Sequence, residues 1–136
     1  MGYKPNLSAQ KDISMSCSIA GTYNITCNQG ATFRRTITWT DAARQPYDIG
    51  NYAARMQVRT VVDSPSIILE LTTTNGRITL GNTAQTKGQV NLLVSATTTA
   101  ALTPGLYVYD LELVSSTGVV DRILEGNFKV SAEVTR

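Results

Sequence analysis

The sequence predicts an all-β protein: an antiparallel β-sandwich with one short helix and an irregular N-terminal arm. Three observations predict it. Apolar and polar residues alternate with period two along most of the chain, in about seven short segments. Turn signals separate those segments, the plainest being Asn75-Gly76, a strong short hairpin signal. At 136 residues the chain is one domain by length, able to bury roughly two thirds of its unfolded surface. The sandwich is placed at residues 21–136 and the arm at residues 1–20.

In chain order, TFRRTITWT sets Phe33, Arg35, Ile37 and Trp39 on one side, against Arg34 and threonines on the other. DAARQPYD follows as a turn in which Pro46 pre-sets the backbone. NYAARMQVRT places Tyr52, Ala54, Met56 and Val58 inward and leaves Ala53, Arg55, Gln57 and Arg59 outward. SIILELTTTNG turns Ile67, Leu69 and Leu71 inward, and QVNLLV does so with Val90, Leu92 and Val94. SATTTAALTPG is the one helical segment, with Ser95 as its N-cap and Pro104-Gly105 as its stop. LYVYDLELV sets Tyr107, Tyr109, Leu111 and Leu113 against Val108, Asp110 and Glu112. ILEGNFKV returns with Leu124, Phe128 and Val130 inward, and Gly126 interrupts that face to leave room for Trp39 or a tyrosine.

The first 20 residues do not share this patterning; Tyr3, Leu7, Ile13, Met15 and Ile19 are scattered among serines and lysines. They are still more apolar than a solvated tail needs, which fits an arm that orders against a neighbouring subunit.

One segment sharpens the class. LTPGLYVY resembles a tyrosine corner, where a crossover turn delivers a tyrosine whose hydroxyl bonds back to the turn. Leu102 is placed to plug the bottom of the core, and Tyr107 or Tyr109 is the corner residue. The sandwich is therefore expected to be immunoglobulin-like. Cys17 and Cys27 do not form the Cys…Trp…Cys spacing of an antibody domain.

Composition argues against most chemistry. The chain has no histidine, the commonest general base and metal ligand. Its lysines show no Ser-x-x-Lys spacing, and no glycine-rich phosphate loop or zinc spacing occurs, so no catalytic residue and no cofactor or metal is expected. Asp110 and Glu112 share a strand face, which reads as solvated surface before it reads as an acid–base pair. Asp41 and Asp48 flank a turn, where aspartate bonds to its own backbone. No run of 18 apolar residues is present, so no membrane partner is expected. The N-terminus lacks the apolar core of a signal peptide, and Asn6 stands where a myristoylation motif needs Ser or Thr. Residence in a cytoplasm, with free thiols, follows as the expectation.

The basic row of Arg55 and Arg59, extended by Arg34, Arg77 and Arg122, raises the question of a phosphate-binding strip. A net charge of +2 is too small to advertise nucleic acid, and acidic residues alternate on neighbouring strands. Cross-strand Arg–Glu pairing accounts for the row. A carbohydrate platform needs exposed aromatics, and Tyr3, Tyr23 and Tyr47 are the only candidates outside inward registers.

Longer stretches carry a resemblance. FRRTITWTDAARQPYDIGNYAARMQVR, ILELTTTNGRITL, GQVNLLVSATTTAAL and PGLYVYDLELVSSTGVVDRILEGNFKVSAEVTR resemble small β-sandwich virion proteins of tailed bacteriophages and prophages. These are commonly encoded near tail, baseplate or tail-fibre genes, and the match spans about Gly30 to Arg136. The resemblance implies an immunoglobulin-like structural building block with no catalytic residues. It also implies other virion subunits as partners, a homo-oligomer or ring, and a place in a particle assembled in the bacterial cytoplasm. Tyr3, Leu7, Ile13, Arg55 and Arg59 are the expected assembly contacts. A neck or capsid-decorating position, or a glycan-binding attachment module, is the alternative.

Overall fold

The computed structural model describes residues 21–135. Its elements are β1 (Gly21–Thr22), β2 (Ile25–Asn28), β3 (Phe33–Thr38), β4 (Ala53–Arg59), β5 (Leu69–Thr72), β6 (Ile78–Leu80), β7 (Gln89–Val94), α1 (Ala96–Ala100), β8 (Gly105–Val114) and β9 (Val120–Ser131). The residues assigned to an N-terminal arm, 1–20, lie outside the described part.

Two sheets face each other. The larger has six strands: β1 and β2 flank β9, and β8, β4 and β5 follow; the smaller runs β3-β7-β6. In immunoglobulin terms β9-β8-β4-β5 is the G-F-C-C′ sheet and β3-β7-β6 is B-E-D. The chain is an immunoglobulin-like β-sandwich by strand order. One expectation changes: β1 and β2 run parallel to β9, so the larger sheet is mixed and not antiparallel throughout. Pairing between the first and last described strands is not made by a hairpin, so no turn forces them antiparallel.

Alternation builds the core. Phe33 and Ile37 of β3, Met56 and Val58 of β4, and Leu111 and Phe128 of β8 and β9 are all buried between the sheets. Two residues depart from the period-two expectation. Ile67 is 40 % exposed, because β5 begins only at Leu69 and the chain before it is a turn through Pro65. Ile123 is buried beside buried Leu124. The β8–β9 register jumps from Leu111↔Leu124 to Glu112↔Arg122, so Ile123 is the extra residue of a bulge and two successive side chains turn inward.

Ser95 caps α1 by accepting the Thr98 N–H at 3.2 Å. Thr99, fully buried, donates to the Ala31 carbonyl at 2.8 Å and accepts from Gly30 N–H at 3.0 Å, which pins the helix to the β2–β3 turn.

The two tyrosines of β8 divide two jobs. Tyr107 donates to the Thr103 carbonyl at 2.6 Å, the bond back to the turn that defines a tyrosine corner, over buried Leu102. Tyr109 is not the corner residue. Its hydroxyl donates at 2.6 Å to the carbonyl of Tyr23, on the far side of β9. Its partner in β9 is Gly126, where an added Cβ would lie 2.5 Å from that same Tyr23 carbonyl. The room left by Gly126 thus admits the backbone of Tyr23 and the side chain of Asn24, not a ring. Tyr109→Phe leaves the Tyr23 carbonyl without its phenol. It is expected to cost about 1–3 kcal/mol of unfolding free energy by urea titration, with the m-value unchanged.

Candidate functional site

The outer face of the larger sheet gathers the residues, most of them polar, that the alternation sends outward. β4 contributes Arg55, Gln57 and Arg59; β8 contributes Val108, Asp110 and Glu112; β9 contributes Arg122, Glu125 and Asn127. Arg55 Nε meets Glu112 Oε1 at 2.8 Å, its partner in the ladder. Arg122 bridges two carboxylates, with Nε 3.5 Å from Asp110 Oδ2 and Nη1 3.3 Å from Glu125 Oε1. Half-exposed pairs of this kind contribute only a few tenths of a kcal/mol each.

Arg59 departs from the Arg–Glu expectation. Val108 stands opposite it in β8, and β5 has not yet begun on its other side, so no carboxylate is in register. Instead it donates to the Ser64 carbonyl at 2.6 Å and to Gln57 Oε1 at 2.7 Å, while Gln57 Nε2 donates to Glu70 at 2.9 Å. Arg59 thereby holds down the β4–β5 loop.

That loop and the sheet face enclose a concavity of about 390 Å³, lined by Arg59, Val62, Val108, Asp110, Arg122 and Asn127 among others. Val62 in that lining is 80 % exposed, and Leu106, in the same outward register of β8 as Val108, is 63 % exposed. Burial pushes the Asp110 carboxyl above its usual range, Glu112 and Glu125 add to this, and Arg122 and Arg55 oppose it.

The expected basic strip is not assembled on one face. Arg34 lies on β3 of the other sheet, and Arg77 spends its Nη1 on the Glu70 carbonyl at 3.0 Å. The aromatic candidates pack against the core: Tyr47 lies on Trp39 with centroids 4.3 Å apart, and Tyr23 is half-buried. Asp41 Oδ1 accepts the N–H groups of Ala43 and Gln45, and Asp48 Oδ1 that of Gly50, so both serve their own turns. Among the described residues, no group of three or more potential metal ligands is brought together. No helix among them is long and apolar enough to cross a membrane. Of the expected assembly contacts, Arg55 and Arg59 sit on this face, while Tyr3, Leu7 and Ile13 lie outside the described residues. Sequence reasoning passed over Leu106 and Val62. Apolar residues at the outward positions of an alternating strand, as at Leu106 and Val108, were the available signal.

No family model and no curated protein matches the chain. One similar solved structure is that of murine CRIg, 11% identical, covering 81% of this chain and 92% of that one at a TM-score of 0.39. The immunoglobulin-like assignment rests instead on the strand order and the tyrosine corner.

A pH signature follows from Asp110. A folded-state pKa above the unfolded one means the neutral carboxyl suits the fold, and this contribution fades as pH rises through the folded pKa. Asp110→Asn is therefore expected to melt above the parent protein at pH 7. The difference should close as the pH falls below about 3, under the unfolded pKa, where the parent's carboxyl is protonated in both states; thermal melts across that range check it.

Proposed function

We propose that this chain is a structural subunit of a tailed-bacteriophage virion, a tail-associated baseplate, tail-fibre or adaptor block that docks other virion subunits and carries out no catalysis. Two kinds of support meet here. Long stretches of the sequence resemble such proteins, and the outer face of the larger sheet has the make-up of a docking surface. The observation that carries the reading is a concavity that takes in exposed Val62 and is rimmed by mutually paired charges, with exposed Leu106 in the outward row of the same sheet. Exposed apolar area within a polar rim marks association surfaces. The ionic groups are already matched to one another, so their desolvation costs less than that of unpaired charges would.

A single small contact of this size is weak. In a particle it is repeated by symmetry, and repetition raises the effective affinity without any new interaction. A rigid sandwich suits that role, because its docking residues sit on strands and on a loop tied by Arg59.

Val62→Asp combined with Leu106→Asp tests this. Both side chains are exposed, so the melting temperature is expected to stay within a few degrees of the parent's. Incorporation into particles is expected to fall about ten-fold or more, the equivalent of about 1.4 kcal/mol per contact. Unchanged incorporation would remove this face from the account, and the position of the subunit in imaged particles separates tail from neck and capsid.

A further inference from the structure

Among the described residues the two sheets end on four edges, and these differ. β5 has four residues, β6 has three, and β1 and β2 are interrupted at Tyr23 and Asn24. β3 has six residues, contains no proline, and pairs with β7 without a register break. Short or interrupted edges resist pairing with another chain, and a longer regular one invites it.

The ladder shows what β3 offers. Trp39 N–H donates to the Gly88 carbonyl at 2.8 Å, continuing the β3–β7 register. Alternation then turns the backbone groups of Phe33, Arg35 and Ile37 to β7, and those of Arg34, Thr36 and Thr38 outward. Of these outward groups, the Arg34 carbonyl accepts from the Arg35 guanidinium at 2.8 Å. No described strand lies on that side.

The sequence ahead of β1 carries a matching pattern. Over residues 1–20 as a whole the apolar residues look scattered, but DISMSCSI, Asp12 to Ile19, alternates without a break. Ile13, Met15, Cys17 and Ile19 fall on one side and Ser14, Ser16 and Ser18 on the other.

We infer that Asp12–Ile19 of a second copy of this chain adds as an antiparallel strand to the outer edge of β3. Its apolar row continues the inner layer beside Phe33 and Ile37, and its serines meet the outward Thr36 and Thr38. The chain's own β3 is out of reach in that orientation. Asn28 C=O accepts the Ala31 N–H at 3.1 Å, closing the turn from β2 into β3, so β3 starts beside the end of β2. Gly21 pairs with Leu124 and Asn28 with Ser131, which puts Gly21 about 23 Å back along β9. An antiparallel strand on β3 would deliver Ile19 near Phe33. From there to Gly21 the chain reaches at most about 7 Å. A neighbouring molecule meets no such limit. Strand addition from one copy to the next closes a ring where the rotation permits. The inference names a second copy as partner and stands whether or not the chain belongs to a virion.

Full-length protein is expected to self-associate with rising concentration in light scattering. Thr36→Pro removes an outward N–H, a position edge strands tolerate; Ile13→Asp with Ile19→Asp spoils the added strand and leaves residues 21–136 untouched. Each variant alone is expected to be monomeric with the far-UV circular dichroism of the parent. Mixed, the first supplies an arm and the second an edge, and a one-to-one heterodimer should return. A parent chain that stays monomeric up to about 1 mM, a mixture that stays monomeric, or an arm variant that associates like the parent would overturn the inference. Should Thr36→Pro not fold, the arm variant decides alone. Neither readout involves particles, so failure here leaves the docking role of Val62 and Leu106 standing.

Discussion

The structure hangs on a hydroxyl that crosses a strand. Tyr109 on β8 lies opposite Gly126 on β9, and its phenol passes to the Tyr23 carbonyl beyond. Three consecutive parts of the sheet are tied by one side chain, and the tie needs the glycine because a Cβ would crowd the carbonyl it serves. Burial makes the phenol a firm donor: it pushes the Tyr109 pKa well up, with Tyr23 and Glu125 adding to the effect, so the hydroxyl keeps its proton. β9 is twelve residues long and is paired on both flanks, to β8 on one side and to β1 and β2 on the other. Where β1 is held decides where the preceding chain enters the molecule, and hence which edges it can reach.

A second set of ties holds the connections around α1. Tyr107 bonds back to Thr103, Thr99 bonds both ways to the β2–β3 turn, and Gln29 donates to the Leu102 carbonyl at 2.9 Å while accepting from Glu133 N–H at 3.0 Å. These are part-buried contacts, the first local to its turn and the others between distant parts of the chain, each orienting a connection that would otherwise be free to shift. A scaffold tied in this way leaves an outer face and an edge exposed. That division suits a protein that works by shape and repetition.

Much of this was legible in the sequence, for reasons that also explain the gaps. The long alternating strands β3, β4, β7 and β8 bury one face each, and a one-residue slip would expose every buried side chain, so the pattern is strongly written. The capped helix and the turn into Tyr107 are local and equally readable. The bulge at Ile123 is not, since a period-two reading has no place for two inward neighbours. Nor is the parallel pairing of β2 with β9, which joins segments about a hundred residues apart through tertiary contacts alone. In the candidate site, the Arg55–Glu112 pair followed from charge and register. Arg59 did not, because its partner Ser64 depends on how a loop folds back. The opposition of Tyr109 to Gly126 was half visible: the missing side chain announced a close approach, but the approaching group proved to be backbone.

The central inference is that β3 is the longest regular edge among the described residues and that a strand from a second copy pairs with it. Amide hydrogen exchange resolved to single residues tests that most directly, by comparing Arg34, Thr36 and Thr38 with Arg35 and Ile37 at low and high protein concentration. The account predicts that Arg35 and Ile37 are protected throughout, whereas the other three exchange quickly when dilute and become protected as concentration rises. Fast exchange of Arg34, Thr36 and Thr38 at every concentration, or protection that does not depend on concentration, would contradict it.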